Sequence, residues 1–309
     1  MPGIGVINNP HSRKSRRDPD WMRSLGHIVG TRGTAVATES IEDVDQLVCS
    51  FLEQDIDVLA INGGDGSNSV ALSALIRAYG DRPLPKIALL RGGTMNIAAN
   101  SCGIKGTPSG LLVHLVQKYR EGQPFETTWR DTLRVHPDRY GFVFGNGFIH
   151  SFLEALYARG KSTWGAAKLL GRGVASSLAG GPFARQLFSG VSARVTVDGE
   201  DWGSGRLAAM AAATVEQIGL SFKAFHRWDE QPHTFHLLAV KCSPARFATA
   251  LPKIYAGRKV AERKVIERLA RELVLESEAP IGYTLDGENH ETHGRLRLTT
   301  GPRLEIIVR

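Results

Sequence analysis

The sequence predicts two domains, an α/β domain over residues 1–124 and a β-rich, antiparallel sandwich-like domain over residues 125–309, whose final strands can return to the first domain. Up to Pro124, apolar strand segments alternate with helical ones, the pattern of a parallel sheet flanked by helices. Beyond Phe125 most segments are short strands, which argues for an antiparallel sandwich or a related β architecture. Between these regions Gly122-Gln123-Pro124 breaks a helical pattern, and a chain of 309 residues is long enough for two ordinary domains.

Taken in order, the first region reads as strands over 4–7, 34–38, 58–61 and 86–90, with helices over 41–54, 68–78 and 109–121. The last helix carries Leu111, Leu112, Leu115 and Val116 at helical spacing. The second region reads as strands over 132–135, 141–145, 193–197, 207–215, 235–240, 281–285, 295–299 and 304–308. Helices over 152–171 and 244–255 interrupt them, and no repeat or low-complexity segment is evident.

A net charge of +7 favours acidic partners, whether nucleotide, anionic membrane or nucleic acid. Cys49, Cys102 and Cys242 form no closely spaced pair, so neither a disulfide framework nor a zinc knuckle is indicated, and a reducing cytoplasm fits best. The first strand lacks the features of a signal peptide, and Pro2 stands where myristoylation requires glycine. The longest wholly apolar run, 207–213, is far below the roughly 18 residues of a spanning helix, so any membrane contact is expected to be peripheral.

Gly63-Gly64-Asp65-Gly66-Ser67 lies where a strand runs into a helix expected to start near Asn68, and reads as a phosphate-binding turn. Glycine brings backbone N–H groups close to a ligand, and a helix N-terminus attracts anions. Asp65 repels phosphate by charge, so it must act through Mg²⁺, through a hydroxyl, or by holding the loop in shape. A second strand-to-turn unit, Arg91-Gly92-Gly93-Thr94-Met95-Asn96, follows about 25 residues later. Either turn alone is equally an ordinary βα loop; two on adjacent parallel strands suit a nucleotide. Asp286-Gly287, taken alone, reads as a hairpin turn.

Together, Asn9-Pro10, Gly63 to Ser67, Gly93-Thr94-Met95-Asn96 and Asp286-Gly287-Glu288 resemble, in order and spacing, the motifs of the diacylglycerol kinase catalytic-domain family. That family includes bacterial lipid kinases and sphingosine kinases. The resemblance implies a Rossmann-like N-terminal domain, a C-terminal β-domain, the two-domain architecture of NAD kinases and diacylglycerol kinases, and Mg²⁺-dependent binding of ATP between the domains. It places Asn9, Thr38, Gly63, Gly64, Gly66, Ser67, Asn68, Ser69, Gly93, Thr94 and Asn96 against the nucleotide, with Asn68 and Ser69 beginning the helix. Asp65 would organise the metal or phosphate region, Glu288 would accept the proton of a lipid hydroxyl attacking the γ-phosphate, and Asp286 would support Glu288 or Mg²⁺. This outline is chemically sufficient, because phosphoryl transfer depends chiefly on alignment and on neutralising phosphate charge.

Some positions depart from the pattern. Ser69 and Val70 stand where the first motif usually continues with Asn-Glu, Ile97 replaces an acid common in bacterial members, and Arg91 stands near the usual proline. The second domain's expected Asp-Gly is not recognisable around residues 231–236, where Asp229 is a displaced candidate. These departures keep a catalytically weak nucleotide or lipid binder open as an alternative. Glycine-aspartate loops of this type also occur in NAD kinases and 6-phosphofructokinases, so a soluble-substrate kinase is a further alternative.

Two basic regions can face an anionic membrane or be ordinary solvated surfaces: 253–271, rich in Lys and Arg, and Arg159, Lys161, Lys168 and Arg172 beside Trp164, Leu169 and Leu170. The loop 11–17 is also basic, and can steer ATP or simply be solvated. His233 and His236, like His290 and His293, lack the companions of a metal site. Nucleic acid is not an expected partner, since no aromatic stacking platform or recognised module accompanies the basic stretches. The expectation is an ATP-dependent lipid kinase, cytoplasmic and peripherally membrane-associated.

Overall fold

The computed structural model describes residues 3–10, 12, 33–38, 40–160 and 162–308. The basic loop at 11–17, Ser12 apart, and Lys161 lie outside them. The chain forms two compact units: Met1–Arg130 with Asp138–Tyr140 and Pro302–Arg309, and Asp131–Pro137 with Gly141–Gly301.

The first unit is built on a parallel sheet. Its fully buried strand β1 (Ile4–Asn8) lies between β2 (Gly33–Ala37) and β3 (Val58–Asn62). Beside β3 runs β4 (Lys86–Leu89), and residues 306–307 at the end of the chain's last strand pair with β4, again in parallel. Apolar runs suit these strands because helices cover a parallel sheet on both faces. Helix α1 (Ile41–Glu53) begins at a reciprocal cap between Ser40 and Asp43 and buries Val44, Leu47, Val48 and Phe51. After α2 (Asp65–Tyr79) and the short α3 (Ile97–Ser101), α4 (Pro108–Arg120) packs Leu112, Leu115 and Val116 against Ile4, Val58, Ala60 and Ala88.

Helix α2 starts three residues before the expected Asn68. Gly64 takes the extended cap conformation, and glycine costs little in a first turn whose N–H groups have no intrahelical partner. Helix α3 escaped the sequence reading because its five residues are too few to show a period.

The second unit is antiparallel and β-rich. Its chain runs through β5 (Thr127–Val135), which begins in the first unit, then β6 (Arg139–Gly141), β7 (Val143–Asn146), α5 (Phe148–Tyr157), α6 (Thr163–Leu178) and α7 (Pro182–Leu187). There follow β8 (Val191–Val197), β9 (Glu200–Leu207), β10 (Ala209–Ala213), β11 (Phe235–Val240), α8 (Pro244–Ala248), α9 (Leu251–Tyr255), β12 (Val265–Ala270), β13 (Glu272–Leu285) and β14 (Glu288–Ile307). The strand order is β12-β11-β10-β7-β13-β14. Between Ser277 and Ile281 the β13–β14 pairing shifts register, so that the first half of β13 lies beside β8 and the second half beside β7. The core collects Leu133, Phe144, Val195, Val197, Met210, Phe235, Leu237, Leu273, Leu275, Leu296 and Leu298. Each fully buried Leu or Phe contributes about 1.5–3 kcal/mol relative to exposure.

Several expected elements divide or merge. The helix read over 152–171 is two, α5 and α6, separated where Gly160 takes φ 85° and Ser162 caps α6 through the N–H of Gly165. The helix read over 244–255 is also two, because Pro252 suits a new first turn and not a helix interior. The strands at 295–299 and 304–308 belong to one continuous β14, in which Gly301-Pro302 reads as a break in the sequence. The basic stretch at 253–271 is divided among α9, a loop and β12, so its charges do not form one helical face.

Candidate functional site

In the first unit the chain places β2 on one side of β1 and β3 on the other, so the strand order reverses between β1 and β3. In open α/β sheets, ligands bind at the carboxyl ends of the strands flanking such a point. The residues there are Asn8, which ends β1, and Asn9 after it, with Asn62, which ends β3, and Gly63 after it.

Asn8 and Asn62 are fully buried and joined by a hydrogen bond from Asn62 Nδ2 to Asn8 Oδ1 of 2.6 Å. Asn9 donates its backbone N–H to the Asn62 carbonyl at 3.0 Å and its Nδ2 to Ser67 Oγ at 2.8 Å. The backbone N–H of the buried Thr38 reaches the Asn8 carbonyl at 3.1 Å. Asn9, Thr38, Gly63 and Ser67 are therefore neighbours. Asn8 and Asn62 were missed, although an amide ending each of two apolar strands was a legible signal. Asn62 Oδ1 is buried without a partner, an acceptor left open beneath the turns.

The two glycine turns touch. A Cβ on Gly93 would lie 2.3 Å from Gly64 Cα, and one on Gly92 would lie 2.5 Å from Asn62 Oδ1. Asn96 is left-handed, φ 50°, and clasps its own turn: Oδ1 accepts from the Gly93 N–H at 3.0 Å and Nδ2 donates to the Gly93 carbonyl at 3.1 Å. Arg91, at the departure from the family's proline, has φ 60° and is anchored to Asn100 Oδ1 at 2.7 Å and to the Ile104 carbonyl. Thr94 is exposed.

Asp65 sits in the first turn of α2, and its Oδ1 accepts the Ala98 N–H at 3.3 Å. Its observed contact is thus the one that holds the second turn against the first. Burial pushes its carboxyl up to about 6, against the opposing pull of backbone N–H groups from Ala98, Ile97 and Asn96. It remains mostly ionised at neutral pH. No side chain caps α2 at Gly64, so the N–H groups of its first turn and the helix dipole present an anion-binding end. Asn68 and Ser69 are buried one turn further in rather than at the helix start. Ser69 donates its hydroxyl to the Tyr140 carbonyl at 2.6 Å, and the Tyr140 N–H donates to Ser73 Oγ at 2.8 Å.

In the second unit, Asp286 and Gly287 form the two-residue turn joining β13 to β14, with φ 49° and 83° and with Leu285 facing Glu288. The Asp286 carboxylate accepts the N–H groups of Phe142 and Val143, both at 2.9 Å, and its own N–H reaches the Val143 carbonyl at 2.8 Å. Tyr157 donates its hydroxyl to the Gly287 carbonyl. The observed work of Asp286 is to hold the hairpin that presents Glu288, which is partly buried at the start of β14. His236 is fully buried with both ring nitrogens unpartnered, and burial pushes it down to about 3. Among the described residues, no group of three His, Cys, Asp or Glu side chains is placed to hold a metal.

Residues 3–123, which contain both glycine turns, match the diacylglycerol kinase catalytic domain. That segment is similar to the diacylglycerol kinase catalytic-domain family. The fold of the whole chain is shared with solved structures of low identity. A diacylglycerol kinase from Bacillus anthracis str. Sterne aligns with a TM-score of 0.68 at 14% identity, covering 99% of this chain and 97% of that one. Two further structures from the same organism give TM-scores of 0.73 and 0.70 at 13% and 14% identity, with the same coverage. No curated protein matches the chain. The fold class is thus the expected one, an α/β N-terminal region with an antiparallel β-rich C-terminal region. Kinases of the diacylglycerol kinase family generally use ATP and a divalent metal. Here the abutting glycine turns and the uncapped α2 suit a phosphate-bearing ligand. The one carboxylate described at these turns, Asp65, suits a magnesium ion that takes its other ligands from phosphate and water.

Proposed function

We propose that the chain is an ATP-dependent lipid kinase that phosphorylates a hydroxyl of a diacylglycerol-like or sphingoid-like lipid at the cytoplasmic membrane surface. The observation that carries this reading is the pair of abutting glycine turns at the open end of α2, within the segment matched to the diacylglycerol kinase catalytic domain.

The N–H groups around Gly63, Gly64, Gly66 and Ser67 would take the nucleotide phosphates, with Asn9, Thr38, Thr94 and Asn96 shaping the surround. Magnesium, held by Asp65, would supply charge neutralisation to the phosphates. Glu288 would accept the proton as the lipid oxygen bonds to the γ-phosphorus and the bond to the leaving diphosphate oxygen breaks. An aliphatic alcohol barely ionises at neutral pH, so the transfer to Glu288 accompanies bond formation.

A second reading, a nucleotide and lipid binder with slow transfer, is favoured by the engagement of Ser69 and Asp286 in backbone contacts. Mg-ATP consumption against a lipid panel, NAD and fructose 6-phosphate, for the native chain and Glu288→Gln, separates the alternatives. Lipid phosphorylation reduced about 10²–10⁴-fold by the substitution, with ATP binding retained, is the expected result. Full turnover by the variant removes Glu288 from its role. ATP binding without turnover on any acceptor favours the binder, and phosphorylation of NAD or the sugar alone favours a soluble-substrate kinase.

A further inference from the structure

Helix α6 in the second unit has a solvent side of unusual chemistry. Its inner face is set by Ala166, Leu169 and Ser177, all buried, and the helix packs with α5, α7 and α8. At helical spacing on the opposite side stand Trp164, Lys168, Gly171, Ala175 and Leu178, all exposed. Trp164 is 79% exposed and Leu178 is 60% exposed, at opposite ends of the stripe. A helix facing only water normally carries charged residues of both signs there. This one carries two large apolar side chains, small residues between them, and lysine.

The charge flanking it in sequence is of one sign. Between Glu154 and Asp198 the chain contains no acidic residue, but it contains Arg159, Lys161, Lys168, Arg172, Arg185 and Arg194. Lys168, Arg172 and Arg185 are exposed, and Arg172 lies over the Phe183 ring at 4.6 Å from its centroid. Arg194 is paired with Asp201 at 2.7 Å and points to a different use. The other basic stretch, 253–271, makes a weaker candidate: it is divided among three elements, and Arg268 is paired with Glu200.

We propose that the outer side of α6 is the face by which this protein docks on an anionic bilayer, with Trp164 and Leu178 entering the headgroup region and Lys168, Arg172 and Arg185 meeting lipid phosphates. Tryptophan prefers the membrane interface, and an amphipathic helix lying in that plane combines apolar insertion with basic attraction. Among the described residues no helix is long and apolar enough to cross a membrane, so this docking is superficial. Charge decides the occupant: a second copy of the chain would set like-charged faces against each other, whereas an anionic membrane complements them. The inference deepens the lipid-kinase reading and draws its purpose from it, but its test involves no turnover.

The full chain is sedimented, without nucleotide, with vesicles of phosphatidylcholine containing phosphatidylglycerol and with pure phosphatidylcholine vesicles, over a salt series. Binding to the anionic vesicles that weakens as salt rises is expected. Lys168→Ala is expected to weaken it about fivefold, since one basic residue at such a surface contributes about that factor. Trp164→Ala is expected to weaken it about tenfold or more, and Trp164→Phe much less. Because these side chains face solvent, melting curves of the variants should match the native chain. Brominated lipid should quench native fluorescence, and the quenching should disappear in Trp164→Phe.

Equal binding to both vesicle types, or binding and quenching unaffected by the Trp164 and Lys168 variants, overturns the proposal. So does a concentration-dependent dimer abolished by Trp164→Ala in a chain that ignores vesicles. A chain that docks but phosphorylates no lipid keeps this face and loses the kinase reading. A chain that phosphorylates dispersed lipid but ignores vesicles keeps the kinase reading and loses this face.

Discussion

Replacing Asp65 with Asn is expected to make the first unit more stable at neutral pH. Burial holds the Asp65 carboxyl at about 6 in the folded chain, above its ordinary value of 3.8. Between those two pH values the native state binds more protons than the unfolded state, so stability falls as pH rises through that window. Above about 6 the full penalty applies. At 1.36 kcal/mol per pH unit, the difference amounts to about 3 kcal/mol, an upper figure because the side chain is only partly covered from solvent. Asparagine keeps an oxygen to accept the Ala98 N–H but cannot ionise. The variant should therefore gain about 1–3 kcal/mol at about pH 8 and nothing below about pH 3.5.

His236 complicates any global measurement, because it produces the opposite slope. Its folded value of about 3 lies below its ordinary 6.5, so it destabilises the second unit as pH falls through that range. Amide hydrogen exchange resolved to β3 and α2 isolates the first unit, and the variant-minus-native difference isolates Asp65. Parallel pH profiles would refute the burial argument. A variant less stable than the native chain at every pH would show that the backbone contacts to the carboxylate outweigh its desolvation. A loss of phosphoryl transfer alongside the gain in stability would mark Asp65 as a destabilising residue retained for function.

Gly93→Ala should destabilise the first unit by about 1–3 kcal/mol and weaken nucleotide binding, because its Cβ would stand 2.3 Å from Gly64 Cα; denaturant unfolding and ATP titration check both effects. Asp286→Ala leaves the N–H groups of Phe142 and Val143 without their acceptor and should cost about 2 kcal/mol or more; Asp286→Asn should cost less, and added Mg²⁺ should rescue neither unfolding midpoint. His236→Leu removes a buried, unpartnered imidazole and should flatten the acid side of the second unit's stability profile below about pH 6.5, as followed by hydrogen exchange in β11; an unchanged profile would remove His236 from the acid response.

The sequence alone determined the alternation of apolar strands and helices in the first unit, the strand-rich second unit, and the two glycine turns, because each rests on local periodicity or on residues with particular backbone freedom. Only the tertiary structure decided which polar groups were already engaged. Ser69 reads as a ligand contact in a motif, yet its hydroxyl meets the Tyr140 carbonyl, 71 residues away. Asp286 reads as a catalytic carboxylate or as part of a turn, and its contacts to Phe142 and Val143 come from the junction of β6 and β7, 144 and 143 residues distant. Asn8 and Asn62 became a pair only when β1 and β3 lay side by side. The same holds for α6: the sequence set Trp164, Leu169 and Leu170 together beside a candidate basic surface, whereas the packing buries Leu169 and leaves Trp164 and Leu178 exposed. Local patterns encode elements because they depend on neighbours in the chain, whereas the partner of a buried polar group depends on which distant backbone the fold brings within hydrogen-bonding reach.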